Sequence, residues 1–133
     1  MKVLLADDDR ILTRLCAAHL KSRGWQVEVA HDAMQAMMSA MRGQPDVIVL
    51  DIGMPGGTGF GVLTKLKQSI RTESIPVVVV SGSITPEDEA KVLGLGAAAF
   101  FRKPVAPETL YAILVRLLPE YVVIDPATQS KTH

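Results

Sequence analysis

The sequence predicts an α/β fold built on a parallel sheet, and three observations point to it. Short aliphatic runs alternate with longer segments of helical period along the chain. Two of those runs, Val47-Ile48-Val49-Leu50 and Val77 to Val80, are apolar without alternation, the pattern of central strands covered on both faces. At 133 residues, 48% hydrophobic and 21% charged, the chain has one domain's worth of length and enough aliphatic material for one buried core.

The elements follow in order. A first strand is read over Lys2 to Ala6, and the acids behind it leave Asp9 as N-cap of a helix over Arg10 to Ser22, closed by Gly24. A second strand, Gln26 to Ala30, leads through Asp32, another N-cap, into a helix over Ala33 to Arg42, with Gly43 as its breaker. In that helix Met34, Met37, Met38 and Met41 recur at i, i+3, i+4 and i+7. An adaptable binding face is one reading, but this is the spacing of a buried stripe, and core packing is expected. The third strand is placed at Asp46 to Leu50 with a helix at Phe60 to Ser69, and the fourth at Ile75 to Val80 with a helix at Pro86 to Leu93 ended by Gly94. The fifth strand is Ala98 to Phe101, with a helix at Pro107 to Leu118. Pro86 and Pro107 stand where a first helical turn tolerates a missing N–H. Residues 1–120 are assigned to this domain, and 121–133 to an extension or the start of a linker, its apolar piece Tyr121 to Ile124 docked and its end frayed.

Composition narrows the function. Lys and Arg number 14 against 14 Asp and Glu, so no net positive field exists to hold a polyphosphate backbone, and no direct nucleic-acid partner is expected. The one cysteine, Cys16, cannot form an intramolecular disulfide or a C-x-x-C motif; it is read as inert core, and a cytoplasmic setting fits. Apolar runs such as Leu110 to Leu118 fall far short of the ~18 residues a membrane helix needs, so no membrane insertion is expected. The start, Met1-Lys2-Val3-Leu4-Leu5, meets acids too soon for a signal peptide.

In an open parallel sheet, ligands sit beyond the carboxyl ends of the strands. Those ends carry Asp7-Asp8-Asp9, His31, Asp51, Ser81-Gly82 and Lys103-Pro104. The second strand's end offers only His31 and Asp32, as suits an edge strand, and the order 2-1-3-4-5 brings the other four together. Asp7, Asp8 and Asp51 would repel one another unless a cation offsets them. Oxygen ligands without His or Cys favour a hard ion, and Mg²⁺ takes carboxylates, waters and a phosphate oxygen. Three carboxylates against Lys103 and a divalent cation balance to zero, a neutralised pocket for an arriving phosphoryl group. Asp51, on the loop after a central strand, is the candidate nucleophile for an acyl phosphate. His19 and His31 are read as surface or helix-end residues, not ligands. Gly94-Leu95-Gly96-Ala97-Ala98-Ala99 fits G-x-G-x-x-A but ends a helix and enters a strand, the wrong context for a dinucleotide site.

Together, Asp7-Asp8, the run Asp51-Ile52-Gly53-Met54-Pro55-Gly56-Gly57-Thr58-Gly59, Ser81-Gly82 and Lys103-Pro104 resemble the bacterial response-regulator receiver domain, over about residues 1 to 118. The resemblance implies a flavodoxin-like, doubly wound, five-stranded sheet with five helices. It implies that Asp51 is the phosphoacceptor of a two-component system, charged by a sensor histidine kinase, a histidine phosphotransfer protein or a small phosphodonor. Asp7, Asp8, Asp51 and the Gly53 backbone carbonyl would hold Mg²⁺. Lys103 would bond the phosphoryl oxygens, with Pro104 after a cis peptide. Ser81 and Phe100 would be the switch pair. The family's output face, helix 4, strand 5 and helix 5, is where a downstream protein target would dock, here through Lys91, Leu95, Phe101, Arg102 and Tyr111. Ala98, Ala99 and Ile113 replace the charged residues of the winged-helix subfamily's symmetric dimer, which argues against that dimer. Gly53 and Ser83, both small, stand where the family tunes autodephosphorylation, so a short-lived phosphoryl group is expected.

Such a domain catalyses its own phosphorylation and dephosphorylation but turns over no metabolite. Two other readings compete: an unphosphorylated protein-interaction module, and a metal-dependent aspartyl phosphatase, which usually carries a second acid where this chain has Gly53.

Overall fold

A computed structural model describes residues 1–54, 59–82 and 84–118. Its strands are β1 (Lys2–Ala6), β2 (Gln26–Ala30), β3 (Val47–Leu50), β4 (Val77–Ser81) and β5 (Ala99–Arg102). Its helices are α1 (Arg10–Ser22), α2 (Ala33–Gly43), α3 (Gly59–Gln68), α4 (Pro86–Gly94) and α5 (Pro107–Leu117). The sheet is parallel in the order β2-β1-β3-β4-β5, the doubly wound, flavodoxin-like arrangement. Nothing is described for the extension assigned to 121–133. No described helix is long and apolar enough to cross a membrane.

The unalternating runs are explained by the two layers they feed. From β1, β3 and β4, Leu4, Ala6, Ile48, Leu50, Val77 and Val79 join one core with α2, α3 and α4. Their neighbours Val3, Leu5, Val47, Val49, Val78 and Val80 join a second core with α1, α5 and Trp25. Successive strand residues point to opposite faces, so a strand with helices on both sides is apolar at every position. The edges differ: β2 alternates between exposed and half-buried residues before ending on buried Ala30, and no residue of β5 is fully buried.

Helix starts follow local chemistry. Asp9 accepts from Leu12 N at 3.0 Å and Asp32 from Gln35 N at 2.8 Å, each satisfying an otherwise orphaned amide. Thr85 and Asp88 form a reciprocal capping box on α4, and Pro86 and Pro107 lie in first turns. Strand β4 begins two residues later than expected because Pro76 has no N–H to give the ladder, although its carbonyl accepts from Ile48 N at 3.0 Å. The Lys67 ammonium meanwhile takes the Glu73 and Ile75 carbonyls at 3.1 and 2.7 Å, and burial lowers its pKa.

Three expectations need correction. The methionine stripe of α2 is mostly not core: Met34 is 71% and Met38 47% exposed, Met41 is half-buried, only Met37 packs against the core from a half-buried position, and the buried face is Ala33, Ala36 and Ala40. Two interleaved stripes share this helix, and the sheet takes the small one because alanines let α2 lie close. Gly43 and Gly94 are the last residues of their helices, while the left-handed positions fall on Gln44 (φ 47°) and Gly96 (φ 107°); Gly24, at φ 85°, breaks α1 as expected. Tyr111 is buried and faces α1, its ring 5.2 Å from that of Trp25 and 5.9 Å from that of His19, with the Arg23 guanidinium 4.6 Å above it. It belongs to the inward stripe Leu110, Tyr111 and Leu114, so it is not a surface contact. Cys16 is buried, and burial raises its thiol pKa.

Candidate functional site

The site is assembled by the ladder. Ala6 and Leu50 are register partners at the ends of β1 and β3, and the Asp51 amide donates to the Ala6 carbonyl at 2.8 Å. Asp7 and Asp51, the next residue of each strand, therefore leave the sheet side by side. The Asp7 amide continues the ladder to Ala30 O at 3.0 Å. On the other flank Lys103 N donates to Ser81 O at 3.1 Å, which sets the lysine just past the end of β5. The Lys103-Pro104 peptide is cis.

Carboxylate oxygens of Asp7, Asp8 and Asp51 lie within 4.8 Å of one another. Asp7 and Asp51 are buried and Asp8 is exposed, so the cluster is a cup with one wall open to solvent. The Lys103 ammonium stands on its rim, 2.7 Å from Asp7 Oδ2 and 3.3 Å from Asp51 Oδ2. The other oxygens of the two buried acids take backbone donors: Asp9 N to Asp7 Oδ1 and Gly53 N to Asp51 Oδ1, both at 2.9 Å.

One ammonium does not neutralise the cup. Burial, with the Asp51 charge beside it, raises the Asp7 pKa although Lys103 and the Asp9 amide pull it down. Burial alone would lower the pKa of Lys103, but the two carboxylates more than reverse this and raise it. The cup favours additional positive charge. Its donors are all hard oxygens and its open side admits water, which fits a magnesium-sized divalent cation better than a softer metal.

The remaining site residues lie around the cup. Ser81 ends β4 with 2% exposure and pairs in register with Arg102. Phe100 is half-buried against the α2–α4 core, with the Arg102 guanidinium 5.6 Å over its ring. Arg102 also donates to the Ile84 carbonyl and pairs with Glu89 at 3.9 Å, tying β5 to the loop before α4 and to α4 itself. Lys91 is exposed but turns its ammonium toward α3, 4.3 Å over the Phe60 ring. Leu95 is half-buried against the core, and Phe101 lines a groove of about 300 Å³ with Ile113, Arg116 and Leu117 of the α5 region. Ser83 and the motif residues 55–58 lie outside the described residues. Gly53, beside the cup, is exposed.

Gly59 closes the loop between β3 and α3. Its amide donates to the Ile52 carbonyl at 3.1 Å, and a methyl group there would overlap the Cα, Cβ and carbonyl oxygen of Ile52. One neighbour was not predicted: the His31 ring sits with Nδ1 2.9 Å from the Asp7 carbonyl oxygen. His31 follows a strand end, as the other site residues do, but that strand, β2, is at the sheet edge.

A family model described as the response regulator receiver domain matches residues 3–115. Response regulator PleD of Caulobacter vibrioides is 36% identical over 130 residues, covering 98% of this chain and 29% of PleD. The DNA-binding dual master transcriptional regulator RpaA of Synechocystis sp. is 31% identical over 117 residues, covering 88% of this chain and 48% of RpaA. The structure of chemotaxis response regulator CheY4 of Vibrio cholerae superposes with a TM-score of 0.81 at 30% identity, over 87% of this chain and 97% of CheY4. The chain thus spans less than half the length of PleD and RpaA, and DNA binding in the name of RpaA belongs to that longer protein.

Proposed function

The chain belongs to the response regulator receiver domain family, and from that premise we propose that it accepts a phosphoryl group on Asp51, in a Mg²⁺-dependent reaction, from a histidine kinase, a phosphotransfer protein or a small acyl phosphate. The observation that carries the reading is the cup itself: three convergent carboxylates with a lysine ammonium bonded to two of them, at residues 7, 8, 51 and 103.

Asp7, Asp8, Asp51 and the Gly53 carbonyl are the groups that would hold Mg²⁺. The bound ion supplies positive charge that offsets the carboxylates and the phosphoryl oxygens. In the transfer, an Asp51 oxygen forms the bond to phosphorus as the donor's bond to it breaks. The Gly53 amide and Lys103 orient the Asp51 carboxylate, and the Lys103 ammonium faces the charge of the incoming group. Water reaches the cup past exposed Asp8 and Gly53, which fits a short-lived phosphoryl group.

The phosphorylated state is read out through Ser81 and Phe100 to the face formed by α4, β5 and α5. Arg102 and Phe101 lie there, and the groove beside Phe101 is suited to a protein target. Shifting the domain from 1:99 to 99:1 active requires a bias of ~5.5 kcal/mol. The equal numbers of acidic and basic residues favour a protein over nucleic acid as the direct partner of this domain.

The test is intact-mass analysis after incubation with Mg²⁺ and acetyl phosphate. The expected result is a single phosphoryl adduct, lost with EDTA and lost in Asp51→Asn. Absence of an adduct in the unsubstituted protein would favour an unphosphorylated interaction module, and steady hydrolysis of phosphomonoesters would favour a phosphatase.

A further inference from the structure

Asp7 is fixed from every side. Its amide donates to Ala30 O at 3.0 Å, its Oδ1 accepts from Asp9 N at 2.9 Å, and its Oδ2 meets Lys103 at 2.7 Å. The fourth restraint, on its carbonyl, comes from His31 at 2.9 Å. A carbonyl oxygen only accepts, so His31 Nδ1 carries the proton and donates it. Asp8 has no comparable restraint: its carboxylate is exposed and makes no hydrogen bond among the described residues. What aims it into the cup is the orientation of the peptide plane that joins it to Asp7, and the oxygen of that peptide is the one His31 holds.

The histidine is itself well anchored. Its backbone N–H donates to Gln35 Oε1 at 2.9 Å, and Gln35 N is bound by the Asp32 carboxylate at 2.8 Å, so the first turn of α2 holds the His31 backbone in place. Ala30 and Ala6 are register partners, which puts His31 directly beside Asp7 across the β1–β2 ladder.

We infer that His31 is a positioning residue for the metal cup, holding the Asp7–Asp8 peptide so that Asp8 faces Asp7 and Asp51, without being a ligand. The inference rests on the proposed Mg²⁺-dependent function and adds a support that the acidic motif does not contain. Groups that orient ligands from behind typically account for 10-fold or more in metal affinity. The side chain matters here for one N–H at one position, which makes its chemistry separable from its bulk. The asparagine amide nitrogen falls where the histidine Nδ1 does, whereas the glutamine amide reaches past it.

The experiment is Mg²⁺ titration by isothermal calorimetry, with no phosphodonor, on the full chain and on His31→Ala, His31→Gln and His31→Asn, with thermal melts of each in EDTA. The expected result is binding about 10-fold weaker in the alanine and glutamine variants, within twofold of the unsubstituted protein in the asparagine variant, and similar melting of all four. Equal affinity in all four would overturn the inference while leaving the proposed function intact. Weak binding in His31→Asn as well would also overturn it, since the N–H would not be what matters. Failure of the unsubstituted protein to bind Mg²⁺ would sink both.

Discussion

Replacing Lys103 with methionine keeps the unbranched apolar stem of the side chain and removes its charged end, leaving Asp7 and Asp51 without the ammonium 2.7 and 3.3 Å away. Breaking a buried ion pair by deleting one partner typically costs ~3 to 5 kcal/mol, and the solvent that reaches this lysine, 21% exposed in its side chain, moves the expectation toward ~2 to 4. The cost also has a ceiling, because the cup can escape repulsion by protonating one carboxyl. From an ordinary pKa near ~3.9, that escape costs about 4 kcal/mol at pH 7 but only about 1.5 at pH 5, at 1.36 kcal/mol per pH unit. The sign follows from linkage: a carboxyl whose folded-state pKa is raised destabilises only above its unfolded value, so the penalty is small near pH 4 and grows as pH rises. Asp7 already has a raised pKa, and Lys103→Met raises it further. Urea denaturation of both proteins in EDTA should show a loss of ~2 to 4 kcal/mol at pH 7 that falls to about 1.5 or less at pH 5. Mg²⁺ at about 100 times its dissociation constant should return about 2.7 kcal/mol. A stability difference that is the same at both pH values would refute the reasoning, since the lysine would then not be offsetting carboxylate charge.

Three further outcomes are expected. Gly59→Ala drives a methyl group into the backbone of Ile52, which cannot rotate away as a side chain would, and should cost more than about 2 kcal/mol in denaturant melts. Ala36→Leu forces α2 off the sheet and should cost about 1 to 3 kcal/mol, whereas Met38→Gln, on the outer face of the same helix, should stay within about 0.5, a contrast readable in thermal melts. Asp9→Ala leaves the Leu12 amide of α1 unpaired and should cost about 1 kcal/mol by the same assay.

The strand order and most of the cup were legible in the sequence because both follow from position along a strand. A parallel sheet puts Asp7, Asp51 and Lys103 at its carboxyl end whatever the helices do, and the same period of two explains why both cores draw on β1, β3 and β4. Helix faces were less legible. In α2 the alanines and methionines both recur at helical spacing, and hydrophobicity favours the wrong set, because the sheet selected for closeness of approach and not for apolar bulk. Tyr111 was misplaced for a related reason: its outward or inward direction depends on where α5 leans on α1, which no local pattern encodes. His31 touches the site through a main-chain oxygen, and main-chain partners leave no mark in side-chain motifs.

Helix α4 buries only Val92, whereas α1, α2, α3 and α5 each bury three or four residues. Ile84 and Leu95 anchor its two ends in the core, and the contacts along its length are polar: Arg102 pairs with Glu89 and bonds the preceding loop, and Lys91 rests on Phe60. Surface ion pairs and cation–π contacts yield for about 1 kcal/mol or less apiece, while each large apolar side chain pulled from a core resists with about 1.5 to 3. Of the five helices, α4 is therefore the one that a push from beside the end of β4 would shift at the smallest cost in apolar burial.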